Sequence, residues 1–123
     1  MTVRRTLVAG AIAMALSLRP SAAATQPSTT DKATADALFR AGKELLESGK
    51  VAEACAKLAE SQRIDPRLGT LLNVAACHEQ EGRTATAWSE FNEAASQAAI
   101  AKQAERETFA RGKWSKSRRS SRA

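Results

Sequence analysis

The 123-residue sequence has few of the residues on which catalytic and metal-binding sites depend. It contains one histidine, two cysteines and no tyrosine, with only three phenylalanines and two tryptophans. Catalytic dyads and metal sites need several suitable side chains close together, and disulfide-dense mini-proteins need more cysteines. We therefore expect one small domain that is not an enzyme and that holds no cofactor or metal.

Glycine and proline are also scarce, with six and three residues, whereas alanine is abundant. Since glycine and proline are the residues least compatible with helices and alanine is the most compatible, this composition predicts an all-α fold. Long apolar runs are missing too. The longest, at residues 7–18, is shorter than the ~20 residues of a membrane-spanning helix, so we expect no membrane span.

The N-terminal residues have the three parts of a secretory signal peptide. Arg4 and Arg5 precede the apolar stretch, and small residues follow it up to position 24. This order is typical of a cleaved leader and predicts that residues 1–24 direct export to the periplasm or the medium. The sequence leaves general secretion and twin-arginine export open. Residues 25–30 are polar and aperiodic, which predicts a flexible linker.

Acidic residues are absent from both ends of the chain. Of the 19 basic residues, three lie in residues 1–24 and six in residues 111–123, which leaves ten against all 13 acids between them. The segment expected to fold is thus mildly acidic. Nucleic-acid-binding domains carry their basic residues on the folded surface, so we expect no nucleic-acid partner.

The C-terminal residues 111–123 combine six bases with serine and one tryptophan. Such composition predicts a disordered, solvated tail. Two alternatives remain open at this point. In the first, the tail is attracted to an acidic partner or to an anionic membrane surface. In the second, the tail marks an abnormal end of the reading frame, which has removed a longer repeat domain.

The middle of the chain contains an internal repeat with an offset of 33 residues. Residues 49–61 align with residues 82–94 without a gap. The matched positions are a glycine, an alanine and a large apolar residue: Gly49 with Gly82, Ala54 with Ala87, and Leu58 with Phe91. Self-similarity at this period is a signature of stacked helical repeats.

Apolar spacing of three and four residues predicts two helix pairs. Their helices are expected at residues 31–48, 51–63, 68–81 and 84–98, with glycine or proline between them. Short connections make neighbouring helices antiparallel. A fifth helix at residues 100–112, with Ile100, Ala104 and Thr108 facing inward, is expected to cover the open end. Coverage by another chain is an equally open alternative.

These motifs resemble the tetratricopeptide repeat, whose pattern is W-x2-L-G-x2-Y, A-x3-F and P. The resemblance implies a short superhelix of antiparallel helix pairs over residues 31–110, with two repeats and a capping helix. The sequence is similar to secreted or periplasmic members of the family in Gram-negative bacteria. The positions implied to pack the repeats are Leu38, Ala41, Gly42, Leu45, Ala54, Leu58 and Pro66 in the first unit, and Leu71, Val74, Ala75, His78, Ala87 and Phe91 in the second.

The resemblance also implies a concave wall that binds a protein or peptide partner. Outward positions of the first helix of each pair are the expected contacts: Arg40, Lys43, Glu47, Asn73 and Glu79. We therefore expect an exported interaction module of the bacterial envelope. The alternative is a truncated structural fragment of a larger envelope protein, without binding activity of its own. The partner's identity and the oligomeric state stay open.

The remaining chemically versatile side chains have structural interpretations. His78 lies on an apolar helix face, where we expect it to be packed and hydrogen-bonded. Cys55 and Cys77 fall on adjacent helices of an exported chain, so a disulfide and two separate buried thiols are equally favoured. A reactive thiol is the least favoured alternative, because no base or C-x-x-C motif accompanies either cysteine.

Overall fold

The computed structural model describes residues 25–120 and 122, and every regular element in this part of the chain is an α-helix. The predicted all-α fold is confirmed. The predicted leader, residues 1–24, lies outside the described residues. The five helices are α1 (Thr29–Glu47), α2 (Val51–Ile64), α3 (Leu68–Gln80), α4 (Thr84–Ile100) and α5 (Ala104–Ser120).

Helix α1 begins with a capping box. The Ser28 hydroxyl accepts from the Asp31 backbone N–H, and the Asp31 carboxylate accepts from the Ser28 hydroxyl and N–H at 2.7 and 2.9 Å. These hydrogen bonds lower the pKa of Asp31, so the cap is fully formed above the ordinary aspartate pKa and is lost as the pH falls through the lowered value. The helix thus starts two residues before the predicted Asp31, which shortens the linker to residues 25–28.

Three connections share one turn geometry. Gly49 and Gly82 follow α1 and α3 with φ of 76° and 77°, and Lys102 follows α4 with φ of 55°. In each turn two backbone N–H groups bond back to the last helical turn, as Lys50 N does to the Leu45 carbonyl at 2.9 Å. This is the Schellman motif, whose left-handed residue is least strained when it lacks a Cβ. The three turns reverse the chain and bring successive helices side by side.

Consecutive helices pack antiparallel through small residues. At the α1–α2 contact, the Ser61 hydroxyl donates to the Ala35 carbonyl at 2.8 Å, while Leu46 and Val51 both pack against the buried cluster around Ala54 and Leu58. Ala54 and Ala87 are completely buried at the α1–α2 and α3–α4 contacts. Their methyl groups let the helix axes approach, and Leu58 and Phe91 fill the space beside them.

Most positions implied to pack the repeats are buried. These are Gly42, Ala54, Leu58, Leu71, Val74, Ala75, His78, Ala87 and Phe91. Leu38, Ala41 and Leu45 are only half-buried, because α1 is the first helix of the described stack and only α2 packs closely against it. The assignment of Pro66 to packing is wrong. Pro66 is exposed in the α2–α3 connection, where its missing N–H ends the helix.

The C-terminal prediction needs the largest correction. Residues 111–120 belong to α5, so they are not a disordered tail, and the helical region does not end at residue 110. Ile100, Ala104 and Thr108 do not face inward; Ile100 is 84% exposed and the other two are also exposed. Helix α4 continues to Ile100, and the turn at residues 101–103 changes which side of α5 faces the stack. The inward residue is Ala110, which is fully buried.

Two aromatic contacts hold α5 against α4, and a cation–π contact lies within α5 itself. The Trp88 and Trp114 ring centroids are 6.1 Å apart, and the Arg118 guanidinium lies 5.9 Å above the Trp114 ring. Phe91 and Phe109 meet edge to face at 6.4 Å. Such pairs add stabilisation beyond the area they bury, which explains why this charged segment is helical.

A pair of glycine substitutions tests the close α1–α2 contact. A Cβ at Gly42 would lie 2.7 Å from Leu58 Cγ, whereas one at Gly112 would meet nothing within 4 Å. Overpacking outweighs the gain in helix propensity at the first site, so Gly42→Ala should lower the free energy of unfolding by about 1 kcal/mol. Gly112→Ala should raise it by roughly 0.5–1 kcal/mol. Urea unfolding of both variants measures the difference, and equal stabilisation at the two sites would contradict the proposed contact.

Candidate binding face on α1, α3 and α5

Helix α3 leaves one stripe of its surface uncovered by α2 and α4. The stripe runs through Gly69, Asn73, Ala76 and Glu79, at spacings of three and four residues, and all four are half-buried. Side chains of α1 and α5 reach this stripe from opposite sides. We call the resulting surface the α1–α3–α5 face; its polar side chains are Arg40, Lys43, Glu47, Asn73, Glu79, Arg106 and Lys113.

Two polar contacts tie α1 to α3 and to the α2–α3 connection that precedes it. The Lys43 ammonium donates to Asn73 Oδ1 at 3.2 Å, and the Arg67 guanidinium donates to Asp36 Oδ1 at 2.8 Å. Arg67 also pairs with Asp65, whose carboxylate is nearly buried. The hydrogen bond to Asp65 is the largest cause that raises the pKa of Arg67 above its usual value. These contacts fix the position of α1 beside the stripe.

The other edge of the stripe is held by α5. Lys113 Nζ lies 2.9 Å from Glu79 Oε2, and both side chains are about a quarter to a third exposed. A guanidinium nitrogen of Arg106 lies 3.9 Å from the position that a Cβ on Gly69 would occupy. An arginine of α5 therefore lies beside the start of α3. The sequence does not identify Lys113 as part of this surface, because the composition of residues 111–123 predicts a tail, and no sequence pattern gives Arg106 a role.

A cavity of about 450 Å³ lies at one end of the face. It is bounded by the first half of α1, the α2–α3 connection and the start of α5. Its charged lining consists of two carboxylates and two guanidinium groups: Asp36, Asp65, Arg67 and Arg106. Since Arg67 already bridges the two aspartates, the lining is electrostatically balanced and suits hydrogen bonding to a neutral polar group better than capture of a strong ion.

The predicted partner-binding residues fall into two groups. Arg40 and Glu47 are exposed on α1, and within the described part of the chain they make no hydrogen bond or ion pair. Lys43, Asn73 and Glu79 instead join the helices to one another. Arg40 and Glu47 can therefore bind a partner without breaking a hydrogen bond or ion pair within the chain. The other three residues set the shape of the face.

His78 lies away from this face. It is buried between α3 and α4, and its Nδ1 is 2.8 Å from Glu90 Oε2. The sequence did not identify Glu90 as its partner. The available signal was the spacing of Glu90 between Ala87 and Ala94, which places a carboxylate beside the apolar stripe of α4. This pair satisfies the buried imidazole of His78 and the half-buried carboxylate of Glu90, and it links two helices.

Cys55 and Cys77 form a disulfide between α2 and α3, with their Cα atoms 5.5 Å apart. The sequence had left this bond and a pair of thiols open. Because the chain has only these two cysteines, neither is a free nucleophile in this state. The bond crosses from the second helix of one pair to the first helix of the next, so it joins the two pairs covalently.

Among residues 25–120 and 122, no three His, Cys, Asp or Glu side chains are grouped as metal ligands would be. None of the helices in the described ranges is long and apolar enough to cross a membrane. Comparisons of the chain with family models, curated proteins and solved structures find no match.

Proposed function

We propose that this chain is an exported helical-repeat module of the tetratricopeptide type that binds another protein or a peptide in the bacterial envelope. The partner lies along the α1–α3–α5 face, and the chain performs no chemistry of its own. The observation that carries the proposal is the stripe of α3. Small residues, Gly69 and Ala76, form its floor, while charged side chains of α1 and α5 stand on either side.

The chemistry of this face suits a polypeptide. Arg40 and Glu47 offer one donor group and one acceptor group on α1, about two helical turns apart, and Arg106 offers a second donor on α5. Peptides carry both carbonyl acceptors and N–H donors, so mixed charges recognise them better than a single strong charge does. The Lys43–Asn73 hydrogen bond and the Lys113–Glu79 ion pair hold the face in one shape, which reduces the conformational entropy lost on binding a partner.

The repeat character has its own support. The offset of 33 residues between Gly49 and Gly82 appears in the structure as two Schellman turns of the same geometry. Helices α1 and α3 occupy equivalent places before these turns. Export is supported by the leader pattern of residues 1–24. An envelope location is also consistent with a disulfide, which persists in oxidising compartments.

Site-specific photo-crosslinking tests this function. A photoreactive amino acid replaces Arg40 on the face, and in a matched control it replaces Lys57, which is exposed on α2. Irradiation of cells producing each variant should give a discrete adduct in the envelope fraction at position 40 and none at position 57. Adding Glu47→Lys to the Arg40 variant should weaken the adduct band several-fold, because it reverses a charge on the same stripe of α1.

Two results would contradict the proposal. Equal labelling at positions 40 and 57 would show that the face has no special role. A folded chain that gives no adduct at either position would favour the alternative, a structural fragment without binding activity. Circular dichroism of each purified variant establishes that it is folded before either result is interpreted.

A further inference from the structure

Helix α5 exposes a second stripe, which runs beside its contact with α4; one edge of the Phe109 ring meets Phe91 of α4, and the rest of the stripe is uncovered. It consists of Glu105, Phe109, Gly112 and Lys116, at spacings of four, three and four residues, which places them on one line along the helix. All four are exposed, and 48% of the surface of Phe109 is accessible. The buried Ala110 lies on the opposite side. The stripe is independent of the α1–α3–α5 face.

The stripe has the features of an unfilled helix contact. In α1 the small residue Gly42 lies beneath Leu58 of α2, and in α3 Ala75 packs with Phe91 of α4. In α5 the small residue is Gly112, and nothing lies within 4 Å of the place where its Cβ would be. The half-exposed ring of Phe109 stands one turn away from this gap. A helix that contributes a large apolar side chain above Gly112 would complete the pattern.

We propose that the occupant is α5 of a second copy of this chain, packed antiparallel to the first. Pairing the two stripes about a two-fold axis places Phe109 of each copy over Gly112 of the other. The same register places Glu105 opposite Lys116, and the symmetry forms this pair twice. The packing is the kind the chain already uses, a large side chain over a small one between antiparallel helices.

Charge complementarity selects this occupant. Within residues 25–120 and 122, Glu105 and Lys116 have no hydrogen bond or ion pair, so both are available to a second copy. A parallel arrangement would set Glu105 against Glu105 and Lys116 against Lys116, which like-charge repulsion disfavours. Because one helix pair buries a small area, the dimer is weak and its population depends on concentration.

Charge reversal tests the register directly. Sedimentation velocity of the purified, oxidised chain over a dilution series should show conversion from one chain to two as the concentration rises. Glu105→Lys and Lys116→Glu should each raise the dissociation constant about tenfold, since each turns two attractive pairs into two repulsive ones. An equimolar mixture of these two variants should associate again, because every pair across the heterodimer is then of opposite charge.

The controls use the same charge changes on another helix. Glu53→Lys and Lys57→Glu alter two exposed residues of α2 and should leave the dissociation constant unchanged. A monomeric wild-type chain at every concentration would overturn the proposal. So would open-ended association, since this two-fold contact closes on itself, or a mixture that associates no better than its two components.

Discussion

Replacement of Phe91 by alanine is expected to lower the free energy of unfolding by about 3–5 kcal/mol. Phe91 is completely buried and packs with Ala75 and Ala87, the two small residues that bring α3 and α4 together. Those neighbours are too small to fill the space left by the ring. The cavity therefore remains, and its cost adds to the lost transfer free energy. Urea unfolding followed by circular dichroism at 222 nm gives the measurement.

The matched control is Phe109→Ala. It removes the same atoms from a ring that is half exposed and meets Phe91 edge to face, so the loss should be about 1–2 kcal/mol, smaller than at Phe91. Both variants are compared at a protein concentration low enough to keep the chain monomeric. If the two substitutions were equally costly, Phe91 would not lie at the centre of the α3–α4 contact as the structure has it.

Reduction of the Cys55–Cys77 disulfide is expected to lower the free energy of unfolding by about 3 kcal/mol. The two cysteines are 22 residues apart in sequence, and the bond restricts the unfolded chain by closing that loop. A stack of so few helices has a small core, so this loss is a large fraction of its total stability. Urea unfolding with and without dithiothreitol measures the effect on the wild-type chain.

The double variant Cys55→Ala, Cys77→Ala serves as the control. Dithiothreitol should shift the unfolding midpoint of the wild-type chain and leave that of the double variant unchanged. Alkylation without reductant should add no label to the wild-type protein. Two labels on the untreated chain, or a midpoint that reductant does not move, would show that the bond is absent or contributes nothing.

The first four helices were predictable because local sequence determines them. Apolar spacing indicates which side of each helix is buried, and a glycine follows α1 and α3 at the point where the backbone turns left-handed. The third turn has the same geometry, but Lys102 occupies the left-handed position. No glycine marks the end of α4, so the boundary between α4 and α5 was misplaced and the inward residues of α5 were misassigned.

The second half of α5 could not be predicted from local sequence. Six bases within residues 111–123 are typical of a solvated tail, and no clear apolar stripe offsets them. The helix is instead held by partners distant in sequence, Trp88 for Trp114 and Glu79 for Lys113. Such contacts leave no local pattern, because each depends on how the preceding helices pack.

The candidate binding face, too, could be predicted only in part from the sequence. Helical periodicity correctly distinguishes outward residues such as Arg40 and Glu47 from the core. It does not tell which outward residues meet a neighbouring helix, so Asn73 and Glu79 were assigned to a partner although both bond within the chain. The contribution of Arg106 and Lys113 became visible only once α5 was placed beside α3.

The position of the disulfide has one more consequence. The bonded cysteines lie on either side of the α2–α3 connection, which contains exposed Pro66 and Arg67. A protease that cuts after Arg67 would break the backbone without separating the two pieces, since they remain tethered through sulfur. The nicked protein would migrate as one species until reductant is added, and cleavage in this connection would not release a fragment.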